Sequence, residues 1–365
     1  MHRIDSATVE ADKFGAGKDG FTAGTPPSTP PTELTAEWHD EVQEEIAGVI
    51  EGTGGALSKG TATQLLSAIR KQLAYDATAE WTTRTPAAAT DFRACARSAT
   101  LWCAVGASAK IETSPEGVVW TARTKDGAFA GVFYGLAHDG VGLWCAVGAS
   151  GEIQTSADGT TWTHRSADAS YSGTFWAVAH YGSLWVTVGS GGEIQTSADG
   201  TTWTRRTPGA SYTNDFRHVI YDTVNGLWVV VGDAGEIQTS ANGTTGWTHQ
   251  TSGTANDLYG VACYAGKIIA CGGVYTIATS TNGTTWSVAA GPVAAFYDAI
   301  GVDNAGVWCI VGQVGTILVS FDGITWVQRV QQAYASYLYA VAHDGVGLWL
   351  AVGGSSGGLL TSRRR

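Results

Sequence analysis

A tryptophan that returns about every forty residues constrains this chain more than any other feature. It stands at Trp81, Trp120, Trp162, Trp203, Trp247, Trp286 and Trp326, with spacings of 39, 42, 41, 44, 39 and 40 residues. The run GEIQTSADGTTW occurs twice, ending at Trp162 and Trp203, and looser copies end at Trp120, Trp247, Trp286 and Trp326. Within 132–165, VFYGLAHD reads as a first strand, GLWCAVG as a second, GEIQTS as a third and TTWTHR as a fourth, with Gly- and Asx-rich turns between them. Four short strands in about forty residues make one β-propeller blade.

The repeat also counts itself. The second-strand motif appears seven times: LWCAVG at 101–106 and 143–148, LWVTVG at 184–189, LWVVVG at 227–232, IIACGG at 268–273, VWCIVG at 307–312 and LWLAVG at 348–353. The fourth-strand tryptophan also appears seven times, but out of phase. Trp81 has no strands one to three before it, and the last unit, 337–362, stops without a strand four. The two fragments complete each other. The expected fold is therefore all-β: a seven-bladed propeller over 76–365, closed by a velcro strand around Trp81 that completes the last blade and leaves no open edge.

Composition agrees, with 49 Gly, 15 Trp and one Met, and only 15% charged residues. The net charge of −11 argues against a nucleic-acid partner, which requires a basic surface. No run of about 18 apolar residues occurs, so no membrane insertion is expected. Met1 to Asp5 lack the apolar core of a secretory signal, which points to synthesis in the cytosol. Cys103, Cys145 and Cys309 share one repeat position and read as small buried hydrophobes. Cys95 with Cys103, and Cys263 with Cys271, would lie on neighbouring strands, where a disulfide is conceivable but out of keeping with a cytosolic product. No CxxC or HExxH spacing is present, so neither a metal nor a cofactor is expected.

The motif S-x-D-G-x-T-W is the Asp-box. It is complete at Asp158 to Trp162, Asp199 to Trp203 and Asp322 to Trp326. Asn replaces Asp at Asn242 and Asn282, ahead of Trp247 and Trp286. A Gly246 insertion displaces Trp247, and the copy at Ser114 to Trp120 carries Glu116. The carboxylate or amide bonds its own turn, the glycine takes a positive φ and the indole staples the hairpin, so the box is a structural element without catalysis.

The N-terminal part differs in kind. Residues 1–34 form an extended arm or linker, rich in Gly, Pro and Thr from residue 15 onward. Over 35–75 two amphipathic helices are predicted. The first carries Trp38, Val42, Ile46, Val49 and Ile50 as one apolar stripe, capped by Thr35 and stopped by Gly52 and Gly54; the second carries Leu65, Leu66, Ile69 and Leu73. Helices this short require a partner surface, so this is an attachment or oligomerisation segment, or a hairpin packed on the propeller.

The pieces Arg3-Ile4-Asp5, Lys13-Phe14, Thr22 to Pro26, Glu37-Trp38, Val42 to Ile46, Val49 to Glu51 and Gln64 to Ile69 resemble the N-terminus of tail-fibre proteins of phages and prophages of Gram-negative bacteria. His39-Asp40 departs from the Leu-Asn expected after the tryptophan. The resemblance covers about the first 70 residues. It implies a virion protein, homo-oligomeric (a trimer), whose N-terminus meets other tail or baseplate proteins while its C-terminal domain faces the host. Residues 76–365 resemble Asp-box propellers more broadly, including sialidase-type propellers and those of the photosystem II assembly factor type; this resemblance implies architecture only.

No Ser/His/Asp set can be assembled from spacing, while Glu152, Glu193 and Glu236, opening strand three in three consecutive blades, leave a paired-carboxylate site open. A sialidase requires an arginine cluster, a tyrosine with a glutamate, and an acid/base aspartate. Arg165, Arg205 and Arg329 look instead like repeat-related, solvated strand ends. His138, His180 and His343 recur at the end of strand one, which suggests a structural role, and Glu152, Glu193 and Glu236 recur at the start of strand three, which suggests a rim role. The binding reading rests on the loops from strand four to the next strand one, where Phe129, Tyr171, Tyr212 and Tyr334 stand among Ser, Asn, Asp and Gly. The leading expectation is a receptor-binding protein that takes a bacterial surface glycan or protein without turnover. The alternatives are a glycan depolymerase and a structural tail adaptor.

Overall fold

The computed structural model describes residues 81–168, 171–209, 212–329, 334, 336–354 and 358–363. The chain divides into two units, Met1–Tyr75 and Asp76–Arg365. The arm at 1–34 and the helices expected over 35–75, with Trp38, Val42, Ile46, Val49 and Ile50, lie outside the described residues.

The second unit is a seven-bladed propeller. The described residues form seven antiparallel four-stranded sheets. Six are built from consecutive strands, and the seventh pairs Thr82–Arg84 with the last strand of the chain. The register of that closing pair is Thr82 to Thr361, Thr83 to Leu360 and Arg84 to Leu359. We number the blades from Phe92. Their first strands are Phe92–Arg97, Phe133–His138, Phe175–Tyr181, Phe216–Asp222, Leu258–Tyr264, Tyr297–Val302 and Leu338–His343. Each first strand touches those of both neighbouring blades, and blade 7 touches blade 1, so these strands encircle the axis.

Burial explains the sequence pattern. Second strands such as Trp144–Gly148 are buried along their whole length because both faces of an inner strand meet another blade, and they read as unbroken apolar runs. Fourth strands such as Thr163–Arg165 form the outer edge, are largely exposed, and carry Thr, His and Arg. Strand four begins one residue after the tryptophan, not with the TTW run: Trp162 belongs to the preceding turn, where its ring is buried. The core clusters span neighbouring blades. Ala94, Val105 and Ile111 of blade 1 pack with Phe133, Leu136, Trp144 and Trp162 of blade 2. Phe92, Trp102 and Trp120 of blade 1 pack with Leu348, Leu350, Val352 and Leu359 of blade 7 and close the ring. Each such side chain contributes about 1.5–3 kcal/mol on burial.

The Asp-box holds the turn before strand four. Asp158 Oδ1 accepts from the Thr160 and Thr161 amides at 2.7 and 2.8 Å, the Gly159 amide donates to Ser156 Oγ at 2.9 Å, and the Trp162 indole donates to the Gly159 carbonyl at 3.2 Å. Asp199, Asn242, Asn282 and Asp322 accept the same pair of amides in their own turns. Trp203 and Trp286 repeat the indole bond at 3.2 and 3.1 Å. The Trp247 indole, displaced by Gly246, has no partner among the described residues. The box glycine also touches the preceding blade. A Cβ on Gly200 would lie 2.8 Å from Leu143 Cδ2, and one on Gly323 2.5 Å from Ile269 Cδ1.

All six cysteines are free. Register explains why. Cys95 stands opposite Ala104 and Cys103 opposite Ala96, so the two thiols are offset along the ladder; Cys263 and Cys271 are likewise opposite Ile268 and Gly260.

The box glycine provides a test. Gly323→Ala combines a left-handed φ of +67° with the clash on Ile269, whereas Gly127→Ala has the same φ and nothing within 4 Å. Thermal denaturation is expected to show Gly323→Ala destabilised by on the order of 2–4 kcal/mol and Gly127→Ala by about 1 kcal/mol. Equal losses would show that the blade contact contributes nothing.

Candidate functional site at the mouth of the central channel

In every blade the register shifts by one residue after the first residue of the innermost strand, as at Phe175/Ala177. The extra residue escapes the pleat of the ladder. These bulged positions are Arg93, Tyr134, Trp176, Arg217, Tyr259, Asp298 and Tyr339, one per blade and all half-buried. They lie at the end of the strand where the loops between strands two and three, and between strand four and the next strand one, converge. Arg217 shows this directly: its Nε donates to Asp233 Oδ1 at 2.7 Å and its Nη2 to Asp233 Oδ2 at 2.9 Å, and Asp233 opens the loop from strand two to three.

The bulged side chains touch one another around the ring. Tyr134 and Trp176 have centroids 4.5 Å apart, and the Arg217 guanidinium lies 4.5 Å from the Trp176 centroid on its other side. The Trp176 indole donates to Asp215 Oδ2 at 3.0 Å, and Asp215 is also 3.5 Å from Arg217. Tyr259 donates to Asp257 at 3.2 Å. This arc runs through blades 2 to 5 and is locked by ion pairs and hydrogen bonds. On the opposite arc, the Arg93 guanidinium lies 3.8 Å from the Tyr339 centroid. Asp298 completes that arc from blade 6. It makes no hydrogen bond with any described residue, and its Oδ2 is buried; burial pushes its carboxyl up to about 7, and Arg93 pulls the other way. Beside the ring, His218 stands where other blades carry Ala94, Gly135, Ala177 or Gly260, and burial pushes its imidazole down to about 4.

The loop aromatics flagged by the sequence surround this ring, and each is occupied with packing. Phe129 lies 5.0 Å from Phe133, Tyr171 4.6 Å from Phe175 and Tyr212 4.7 Å from Phe216, centroid to centroid. The Tyr171 hydroxyl donates to the Thr174 carbonyl at 3.0 Å, the Tyr212 hydroxyl to the Asp233 carbonyl at 2.7 Å, and the Tyr334 hydroxyl to the carbonyls of Tyr337 and Gly354. All four are half-buried supports of the loops, one per blade, rather than a joined patch.

The repeated polar residues also have local partners. His138, His180 and His343 lie at the end of strand one at the other face and pack, tilted, against the second-strand Trp144, Trp185 and Trp349 at 4.6, 4.6 and 4.7 Å. The Gly140 amide donates to His138 Nδ1 at 3.0 Å, and burial lowers the His138 pKa, so this ring stays neutral. Glu152 meets Gln154 and His164, Glu193 meets Gln195 and Arg205, and Glu236 meets Gln238 and His249, each within its own blade. Of the three arginines read as solvated strand ends, Arg205 is exposed, Arg165 half-buried and Arg329 buried. Arg165 Nε donates to Thr155 Oγ1 at 2.8 Å, a bond repeated by Arg123 and Arg206, while Arg205 stands one position earlier and pairs with Glu193 at 2.7 Å; Arg329 is buried. The cause is register: alternate residues of strand four point toward strand three's threonine or its opening glutamate. Among the described residues no group of His, Cys, Asp or Glu could hold a metal ion.

Sequence reading missed the ring itself. Its signal is that the residue after the first-strand aromatic or leucine varies (FRAC, FYGL, FWAV, FRHV, LYGV, YDAI, LYAV) where its neighbours repeat.

The fold defines the class as a seven-bladed β-propeller, and similar solved structures share that fold. The chain resembles YCF48 bound to D1 peptide, with a TM-score of 0.64 and 18% identity over 78% of this chain and 94% of that one. It resembles YCF48 from Cyanidioschyzon merolae, with a TM-score of 0.62 and 17% identity over 78% and 98%. The WD40 propeller domain of Doa1 gives 0.62 and 12% over 78% and 96%. At these identities the likeness is one of fold. No family model matches the chain. In sequence, 74 residues are 51% identical to the uncharacterized protein StfP of Escherichia coli K12, covering 20% of this chain and 35% of that protein, so the chain spans about a third of its relative's length.

Asp298→Asn tests the electrostatics of the ring. Because the folded pKa of Asp298 is raised to about 7, the folded state binds more protons than the unfolded state between about pH 4 and 7, and the carboxyl's contribution to stability is lost as pH rises through 7. Asp298→Asn is expected to raise the thermal midpoint by a few degrees at pH 8 and to leave it unchanged near pH 4. A gain independent of pH would contradict the assignment.

Proposed function

We propose that this protein is a phage tail-fibre or receptor-binding protein, a homo-oligomeric virion component that joins other tail or baseplate proteins through its N-terminal segment. Its propeller binds a bacterial surface glycan without turnover. The observation that carries the binding reading is the ring of four aromatic residues, two arginines and one aspartate at a position whose side chain changes from blade to blade. Tyr134 and Trp176, tilted at 56° to one another with the Arg217 guanidinium 4.5 Å from the Trp176 centroid, form a preorganised aromatic cluster of the kind that meets the apolar faces of sugar rings. The N-terminal resemblance supplies the virion context, and the 51% identity to StfP gives a bacterial relative of unassigned role.

A non-enzymatic role is favoured because most glycoside hydrolases use two carboxylates about 5–9.5 Å apart across the substrate. Glu152, Glu193 and Glu236 are held separately in three blades, and Asp298 is the one carboxylate among the seven ring positions. A peptide ligand is the second reading, since YCF48 is seen bound to a peptide on a similar backbone.

The test incubates the protein with envelope polysaccharides of Gram-negative hosts, measuring retention and released reducing ends together. Retention without new ends is expected, weakened roughly tenfold or more in Trp176→Ala and Tyr134→Ala. New reducing ends would replace the binder with a depolymerase. No retention on a host to which the virion adsorbs would replace it with a structural adaptor.

A further inference from the structure

We propose that the loop face carries a second recognition surface, a protein-docking ridge of Val274, Phe296, Val314 and Tyr337 across blades 5 to 7, which takes an extended polypeptide segment bearing apolar and basic side chains. This surface goes beyond the glycan reading and does not rest on it.

The ridge arises from a paired replacement at two repeat positions. One is the tip of the loop between strands two and three, exposed in blades 1 to 6 alike: Ser108, Ser150, Gly191, Ala234, Val274 and Val314. Its backbone is left-handed in all six, with φ between 51° and 70°. The other is the residue just before strand one. In blades 4 and 5 it is Asp215 or Asp257, whose carboxylate accepts from the tip amide of the preceding blade, Gly191 at 3.2 Å and Ala234 at 2.8 Å. In blades 6 and 7 it is Phe296 or Tyr337, and the tip of the preceding blade is a valine. Twice running, a carboxylate on a small tip gives way to an aromatic ring beside a valine.

Backbone hydrogen bonds bring each pair together. Tyr275, next to Val274, donates its amide to the carbonyl of Ala295, next to Phe296, at 3.0 Å; Gly315, next to Val314, donates to the carbonyl of Ser336, next to Tyr337, at 2.6 Å. A Cβ on Gly273 would lie 3.3 Å from the Phe296 ring. The ridge runs into the ring at the mouth, since Tyr259 meets Phe296 edge-on at 6.5 Å and Tyr337 stacks on Tyr339 at 5.8 Å. It stands apart from Tyr134 and Trp176, which belong to blades 2 and 3.

These side chains reach solvent. Val274, Phe296, Val314 and Tyr337 are 52, 39, 71 and 43% exposed. Valine is also a poor choice for the tip, because a β-branched side chain is strained at a left-handed φ. The fold accepts that cost at two successive tips and presents methyl groups to water. Adjacent exposed apolar side chains on a polar face mark an interaction surface. Their chemistry selects the partner. Aliphatic methyls offer sugar hydroxyls no hydrogen bond, whereas aromatic and apolar residues with few charges make up the core of protein interfaces. The amides of Val274 and Val314 meet no aspartate from the next blade, and the carbonyls of an extended segment complement them. The net charge of −11 favours basic residues beside the apolar ones.

The experiment screens the full-length protein on an array of synthetic octapeptides in which Leu alternates with Lys, Glu or Ser, beside octapeptides of Ser and Lys alone. Val274→Gly combined with Val314→Gly installs the residue that blade 3 carries at its tip, and Phe296→Asp the residue that blades 4 and 5 carry before strand one, so this fold already accommodates both changes. The glycine pair should raise the thermal midpoint by about 1–3 °C as the left-handed strain is relieved. The wild-type chain should retain the Leu/Lys octapeptides most strongly and the Ser/Lys octapeptides not at all. The glycine pair and Phe296→Asp should each weaken retention roughly tenfold or more, and Trp176→Ala should leave it unchanged. No retention of any Leu-containing octapeptide, equal retention by the variants, or a thermal midpoint lowered by the glycine pair would overturn the ridge. So would loss of retention in Trp176→Ala alone, which would move the peptide to the Tyr134–Trp176 arc, and so would loss of an oligomer in sedimentation of either ridge variant, which would assign these residues to a contact between copies. Stronger retention of Leu/Glu than of Leu/Lys octapeptides would overturn the basic character of the partner. The glycan reading is judged separately, by polysaccharide retention and its dependence on Trp176, so the two fail independently.

Discussion

The second strand of each blade is buried on both faces, and neither face can be covered from within its own sheet. Val147 and Ile153 pack toward Phe175 and Trp185 of the next blade, just as Trp102 and Ala104 pack toward Leu350 and Val352 of blade 7. Stability is therefore a property of the closed circle: a blade without its neighbours exposes the residues that form its core. The short pairing of Thr82–Arg84 with Leu359–Thr361 matters for that reason. It contributes three residue pairs of ladder, but it joins the two ends of the described propeller within one sheet and completes blade 7. The Arg84 guanidinium reinforces it with a 2.7 Å bond to Thr361, the same bond that Arg123, Arg165 and Arg206 make within their own blades.

Repetition separates frame from site. Residues that recur in three or more blades have local duties seen in the same geometry each time: box aspartates on turn amides, strand-four arginines on strand-three threonines, glutamines beside opening glutamates, and histidines against second-strand tryptophans. Such residues attract attention in a sequence because they are polar, buried and periodic. Their repeated local partners account for them within the frame of each blade. The bulged position does the reverse. Its backbone geometry is the same in every blade, while its side chain changes from arginine to tyrosine, tryptophan and aspartate.

Electrostatics at the mouth differ from those of the chain as a whole. The net charge is −11, yet the ring carries two guanidinium groups against one carboxylate, with Asp91, Asp215, Asp233 and Asp257 set just behind it. The aspartates also join blades: Asp215 accepts from the Gly191 amide of blade 3 and Asp257 from the Ala234 amide of blade 4. Arg217 is neutralised by this framework and acts as a rigid plane on Trp176. Arg93 lies over Tyr339, with Asp91 beside it.

The blade number and the closure were legible in the sequence because both follow from counting: hydrophobic runs, glycine turns and tryptophans are local, and the out-of-phase ends admit one way of closing. The Asp-box chemistry was legible for the same reason, since its partners lie within five residues. Register was less legible. A one-residue offset decides that Cys95 faces Ala104 rather than Cys103, and that Arg165 rather than Arg205 meets a threonine. The loop aromatics Phe129, Tyr171, Tyr212 and Tyr334 could be located but not oriented, because whether a ring faces solvent or the first-strand side chain depends on contacts some four residues away. The channel-mouth ring was decided by tertiary structure alone. Seven residues, each about forty positions from the next, become neighbours only when the blades close around an axis and a bulge turns each one out of its ladder; no local pattern encodes that convergence.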